Sequence, residues 1–288
     1  MLEVGLTGWG DHDSIYPEGT RQTDKLQAYS AHFPIVEVDS AFYAVQPLKN
    51  YHKWIKDTPD RFSFIVKAYQ GMTGHERGEI PFADHEEMFK AYVESIKPVV
   101  EAGKLSMVLC QFPPWFDCTK ENVAYLRYVR EKLTDFPCAL EFRHQSWFAS
   151  EFKEKTLTFM KEEEWIHSVC DEPQSGEGSV PMVLETTHAD KTLVRLHGRN
   201  VEAWRKPVKG ENWRRVRYLY DYSQHELKEL LEKINKLQNG SKKVCVVFNN
   251  NSGGHAAGNA KTFLKMAGVS YEGLAPRQIS LFENHSEE

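Results

Sequence analysis

At 288 residues, with 41% hydrophobic and 27% charged side chains, the chain is long for an ordinary domain but normal for one closed α/β unit with a large core. A formal net charge of −5 argues against nucleic-acid binding through the whole surface and leaves only a local basic patch for it. The five cysteines (Cys110, Cys118, Cys138, Cys170 and Cys245) are odd in number, lack CxxC spacing and lie mostly in apolar runs, as buried reduced thiols do. Met1 to Gly5 enters a strand without the regions of a signal peptide, and no apolar run nears the roughly 18 residues of a membrane span. A cytoplasmic protein with no membrane partner is expected.

Eight apolar, β-branched runs follow in order: Leu2 to Thr7, Pro34 to Asp39, Phe62 to Lys67, Leu105 to Gln111, Cys138 to Arg143, Trp165 to Asp171, Thr192 to His197 and Lys243 to Asn249. Helical repeats fill most gaps. Leu26, Tyr29 and Phe33 share one face, Phe89, Tyr92, Val93, Ile96 and Val100 another, and Leu227, Leu230, Leu231, Ile234 and Leu237 a third. Thr119 and Ser223 stand where N-caps belong, and Asn239-Gly240 marks a helix exit. The gap from Glu172 to Lys191 is the weakest, because Pro173, Gly176, Gly178 and Pro181 leave little room for a helix. Eight strand–helix units predict a single eight-stranded parallel β/α barrel of the TIM type over residues 1–270, with long loops at its C-terminal face and a tail over 271–288.

Parity then locates a site. The outward face of each barrel strand must be apolar, while the inward face turns polar only near the C-terminal mouth. With Val36, Val38, Phe64, Val66, Leu140, Phe142, Val194 and Leu196 outward, Glu37, Asp39, Lys67, Glu141, Arg143, Arg195 and His197 converge inside. Gln111 and Asn249 end their strands in comparable positions, with Asp171 a weaker member of the set. A structural ion-pair network of Glu37, Glu141 and Arg195 is the plain alternative for those three, because buried charges need partners. For the whole set a ligand site is the better reading, since an apolar layer would be more stable.

Several segments resemble the YecE-like family, domain of unknown function 72: Gly5-Leu6-Thr7-Gly8-Trp9, Glu37 to Tyr43, Phe64 to Ala68, Gln111-Phe112-Pro113-Pro114, Glu141 to Phe148, Val194 to Arg199, and Phe248-Asn249-Asn250 with Gly254-His255-Ala256 and Asn259-Ala260. The resemblance spans nearly the whole chain and implies a TIM-type barrel but no assigned activity. One departure is Gly10, where many relatives carry Ser after the first Gly-Trp.

The chemistry is read from the residues. Arginines at a pocket suit phosphate or carboxylate groups, so an anionic, phosphate-containing substrate is expected. His197, Glu141, Asp39 and Lys67 are the candidate catalytic groups, with His197 beside a carboxylate as acid or base. Trp9, Glu37, Tyr43, Gln111, Arg143, Arg195, Arg199 and Asn249 are the candidate binding groups. No cofactor is called for. A divalent metal is an alternative, since Glu141, His144, Asp171 and His197 include ligand types, although no HxH or HExxH spacing supports it and nearby cations oppose it. Two further alternatives are a Schiff base on Lys67 and a Glu37–Glu141 glycosidase pair with Trp9, Phe42, Tyr43, Trp115 and Trp147 as a sugar platform.

Gly71, Gly74 and Gly78 predict a mobile loop after the third strand. Gly198 to Tyr222 interleaves Arg199, Arg205, Lys206, Lys209, Arg214, Arg215 and Arg217 with Trp204, Trp213, Tyr218, Tyr220 and Tyr222, a pattern that suits single-stranded nucleic acid as well as it suits a solvated flap. The tail holds Gln278-Ile279-Ser280-Leu281-Phe282, which resembles the peptide that docks bacterial replication and repair proteins on the sliding clamp. Gln278 would be its polar clamp, and Leu281 and Phe282 its anchors. The alternative to an enzyme is therefore a non-catalytic, DNA-associated adaptor recruited to that clamp.

Overall fold

A computed structural model describes residues 1–75, 80–205 and 216–277. Eight parallel strands close into one barrel in sequence order: β1 (Leu2–Thr7), β2 (Ile35–Val38), β3 (Ser63–Lys67), β4 (Leu105–Gln111), β5 (Cys138–Glu141), β6 (Trp165–Asp171), β7 (Lys191–Leu196) and β8 (Lys243–Phe248). The ring closes where Gly5 of β1 sits opposite Val247 of β8 and Ile35 of β2. A Cβ on Gly5 would lie 2.1 Å from the Ile35 carbonyl oxygen, so this approach of the two backbones needs glycine.

The helices among the described residues are α1 (Lys25–Tyr29), α2 (Ser40–Tyr43), α3 (Leu48–Lys56), α4 (His85–Glu101), α5 (Lys120–Lys132), α6 (Lys153–Glu162), α7 (Val201–Arg205), α8 (Gln224–Leu237) and α9 (His255–Ala267). The long ones start where capping chemistry puts them. Thr119 accepts from the Asn122 N–H at α5, and Ser223 with Glu226 forms a full capping box at α8. Between Glu172 and Lys191 there is no regular element, as the prolines and glycines there require.

Two apolar cores result from strand alternation. The outer one joins Val36, Val38, Phe64, Val66, Leu140, Val194 and Leu196 to helix faces that include Tyr92, Leu126, Leu230 and Ile234. Truncating a fully buried member such as Leu126 to Ala removes about 2–5 kcal/mol. The inner one is a plug of Ile35, Ile65, Met107, Leu109, Ala139, Ile166, Leu193, Cys245 and Val247. It fills the barrel below the mouth, so any ligand must enter from above it.

Three expectations need adjustment. Asp171 has the parity of outward Val169, not of inward Ile166, so it leaves the mouth set. The loop after β3 begins as a buried 3-10 turn, Gln70–Thr73, packed into the body, so only the part beyond it is left for a mobile loop, and Gly78 lies outside the described residues. The chain beyond 270 also stays on the barrel at first. Tyr271 Oη accepts from Val4 N at 2.8 Å, and Ala275 N donates to Ser30 O at 3.1 Å.

Candidate active site at the barrel mouth

Eight polar groups of the mouth each follow a residue of the inner plug, or Gly5, by two positions. Thr7 follows Gly5, Glu37 follows Ile35, Lys67 follows Ile65, Gln111 follows Leu109, Glu141 follows Ala139, Ser168 follows Ile166, Arg195 follows Leu193 and Asn249 follows Val247. The pleat therefore stacks a polar ring directly on an apolar one. Gln111 pairs in register with Glu141, and Cys170 with Arg195.

Arg195 is the hub, and its residue is 1% exposed. Its Nε and Nη2 donate to the two oxygens of Glu37 at 2.9 and 2.7 Å. Its Nη1 donates to both oxygens of Glu141 at 2.9 Å. Glu141 also accepts from Arg143 Nε at 2.7 Å and from Ser168 Oγ at 2.9 Å. Burial alone would raise the Glu141 carboxyl, but Arg143 and Arg195 hold it well below the usual range. For Glu37 burial wins over Arg195 and Lys67, and the carboxyl is raised. Both carboxylates are held by one guanidinium, which leaves neither free to attack a sugar.

Arg143 lies two residues past the end of β5 and extends the network sideways. Its Nη1 donates to Glu172 at 2.5 Å, and Glu172 also accepts from Val180 N at 2.7 Å. Glu172 is pushed up to about 7 by burial, against the pull of Arg143 and that N–H. Arg143 Nη2 lies 2.9 Å from His197 Nε2. A guanidinium can only donate, so Nε2 accepts and the imidazole proton sits on Nδ1. Asn249 Nδ2 stands 2.8 Å from Nδ1; two N–H groups cannot share that contact, so a Nδ1 proton requires the amide turned with its oxygen toward the ring. Burial and then the charges of Arg143 and Arg195 lower the His197 pKa well below its ordinary value, so the ring is neutral.

A second pair lies on the more open flank. Lys67 Nζ donates to Asp39 at 2.9 Å and sits 4.6 Å from the Phe42 ring centroid. Burial lowers the lysine pKa, but Asp39 outweighs it and the net direction is up, opposite to what a Schiff-base amine needs. Over His197, the ring centroids of Tyr218 and Trp204 stand at 6.1 and 6.5 Å, and Arg217 stacks on Trp204 at 4.1 Å. The described ends of the basic-aromatic segment thus form a roof on the mouth.

Glu37, Glu141, Arg143, Arg195, His197, Gln111 and Asn249 are brought into one hydrogen-bonded network, with Lys67 and Asp39 beside it. Other candidates fall elsewhere. The Trp9 ring packs edge-on against Trp54 of α3, and Tyr43 is half exposed on α2 beside Phe42. Arg199 pairs with outward Asp171 at 2.9 Å and with Glu226 at 3.3 Å, and Tyr222 Oη also donates to Asp171 at 2.7 Å. Ser168, inward by parity as the second residue after Ile166, joins the network without standing among the candidates. Glu172 gave no signal, because it sits in an irregular stretch without parity. The clamp-like residues Gln278, Leu281 and Phe282, and the cations Lys206, Lys209, Arg214 and Arg215, lie outside the described residues.

One metal-type cluster occurs among the described residues: Glu141, Cys170 and His197 offer ligand atoms within 4.8 Å of one another. It suits a divalent ion poorly. Arg143 and Arg195 already donate to Glu141, Arg143 fills the His197 Nε2 lone pair, and burial raises the Cys170 thiol well above its ordinary pKa. The metal expected as an alternative from Glu141, His144, Asp171 and His197 has no common site, since Asp171 points outward.

The fold and this mouth define a single closed parallel β/α barrel with a buried arginine–carboxylate–histidine network at its C-terminal end. The chain belongs to the family described as Protein of unknown function DUF72, whose profile matches residues 3–281. It is 62% identical over 282 residues to the UPF0759 protein YunF of Bacillus subtilis (strain 168), covering 98% of this chain and 100% of that one. A DUF72 family protein from Enterococcus faecalis V583, solved at 3.10 Å, superposes with a TM-score of 0.89 at 38% identity over 97% of this chain and all of that one. Another from Thermotoga maritima MSB8, solved at 2.20 Å, gives 0.79 at 32% identity over 93% of this chain and all of its own. Among the described residues no helix is long and apolar enough to cross a membrane.

Proposed function

We propose that the mouth binds a small anionic, phosphate-containing substrate and processes it by proton transfer. The observation that carries this reading is a set of hydrogen-bond donors left over at the ring. Lys67 commits one of its three N–H bonds to Asp39. Among the described residues, Gln111 uses its carbonyl oxygen, toward Arg195 at 3.5 Å, and its NH2 group meets no partner. Thr7 Oγ1 is likewise buried without a partner among the described residues. An anion with several acceptor oxygens satisfies such a set, and the neutral His197 beside it can exchange a proton with the ligand only where Arg143 or Asn249 releases a ring nitrogen.

Arg143 and Arg195 serve in this reading as the frame that orients His197 and Glu141, since their donors are already spent on protein groups. Titration calorimetry with inorganic phosphate and then small phosphate esters tests it. Lys67→Met and Gln111→Leu should each weaken binding by about tenfold, the worth of one charged or well-placed hydrogen bond. The absence of saturable binding at millimolar concentration, or binding indifferent to both substitutions, rejects it.

Two partner proposals stand apart from the mouth. Single-stranded nucleic acid is tested by anisotropy across salt after removal of Arg214, Arg215 and Arg217, and unchanged affinity rejects it. Sliding-clamp recruitment through Gln278, Leu281 and Phe282 is tested by titrating purified clamp with the full chain and with a chain cut after Arg277. Equal binding by both, or none by either, rejects it.

A further inference from the structure

A cavity of about 370 Å³ opens between α5 and α6, away from the network at the mouth. Its wall is apolar, formed by Val123, Trp147, Phe152 and Phe159. Its rim carries three cations, Lys120, Arg127 and Lys155, and no carboxylate lines it. Arg127 is engaged by Glu163 at 2.7 Å and lies over the Phe159 ring at 5.2 Å. Lys120 and Lys155 make no ion pair among the described residues, and both are exposed; Lys155 Nζ lies 5.9 Å from the centroid of the Phe152 ring. The first turn of α5, a helix of 13 residues, opens beside the same rim at Thr119 and Lys120 and adds its positive end.

We infer that this cavity is a second ligand site, independent of the mouth, for an amphipathic organic anion: a ring or branched hydrocarbon body bearing one carboxylate, sulfonate or phosphate. The volume suits a small ligand and excludes a folded partner. The aromatic wall binds the body, and the unpaired ammonium groups bind the head, which stays at the wet rim. A fully polar anion has nothing to offer the wall, and a neutral hydrocarbon leaves the cations unanswered. The wall also touches the frame of the mouth. Trp147 stacks on Phe142 at a centroid distance of 4.1 Å, and Phe142 precedes Arg143. An occupant pressing on Trp147 therefore adjoins the strand end that holds Arg143.

Cys118 provides a local readout. It lines the cavity and is half buried, whereas Cys110, Cys138, Cys170 and Cys245 are buried, so a small neutral alkylating agent should mark Cys118 first. The full chain is treated with iodoacetamide at mildly alkaline pH, and modification of Cys118 is followed by peptide mass analysis. Naphthalene-1-sulfonate should slow the reaction saturably, while sodium sulfate and naphthalenemethanol at equal concentration should not. Lys155→Glu, an exposed change that leaves the wall intact, should weaken the protection by about fivefold or more. Val123→Trp, which fills the cavity, should abolish it. Lys67→Met at the mouth should leave it unchanged. Protection that is absent, that sulfate alone reproduces, or that survives Lys155→Glu in full overturns the assignment.

Discussion

Two arginine–carboxylate clusters stand four residues apart on one strand end, and they do opposite things. Arg195 points inward, is 1% exposed, and spends its guanidinium on Glu37 and Glu141 inside a sealed ring. Arg199 points outward, keeps about a quarter of its side chain exposed, and joins Asp171, Glu226 and, at the edge of contact, Glu229. Between them Gly198 adopts φ +84°, and a Cβ there would meet Tyr220 at 2.5 Å. That turn lets one short stretch serve both sides of the barrel wall. The difference is one of solvent: the inner pairs have no water to fall back on, and the outer ones do.

The sharpest way to break the comparison is to delete each hub. Arg195→Ala strands two buried carboxylates and should cost about 3–5 kcal/mol, read by urea unfolding. Arg199→Ala should cost about 1 kcal/mol or less in the same assay. Equal losses would mean that burial does not separate the two clusters.

Glu172, at the sealed end of the inner cluster, should show next in the pH dependence. Its folded value of about 7 lies above its ordinary 4.5, so the folded state holds an extra proton between these limits. Its contribution to stability is full below pH 4.5 and is lost as pH rises toward 7, by about 3 kcal/mol in all. Glu172→Gln should flatten that part of the stability–pH curve and leave stability below pH 4.5 nearly unchanged. A curve of the same slope in wild type and variant would show that Glu172 is ionised throughout.

A smaller effect distinguishes the partners of Asp171. Tyr222→Phe removes the hydrogen bond to that carboxylate and the one accepted from Gly198 N at 2.9 Å, and should cost about 1–3 kcal/mol. The smallest effect is that of salt. Raising ionic strength to about 1 M, where the screening length is near 3 Å, should erase most of the Arg199 contribution and little of that from Arg195. Double-mutant cycles at low and high salt, Arg199 with Glu226 against Arg195 with Glu37, would measure it.

Much of this is legible in the sequence. Alternation alone turned Val36, Phe64, Leu140 and Val194 outward and so put Glu37, Lys67, Glu141 and Arg195 together, because a two-residue period allows only two faces. Thr119 and Ser223 announced their helices by local chemistry. The same rule missed Asp171, which ends β6 on the outward phase. Such a slip by one position is invisible when the neighbouring Cys170 can sit on either face.

What the chain determined by itself is the set of alternating runs, their caps and breaks, and hence a barrel with a charged mouth. Pattern and propensity act within a few residues and need no partner. Tertiary structure alone decided who pairs with whom. It gave both faces of Glu141 to arginines from β7 and the β5 loop, set Glu172 from an irregular stretch against Arg143, and laid Trp204 and Tyr218 over His197. The arginine contacts from outside β5 join residues 29 positions apart for Arg143–Glu172 and 54 for Arg195–Glu141, and their strength comes from the exclusion of water by packing.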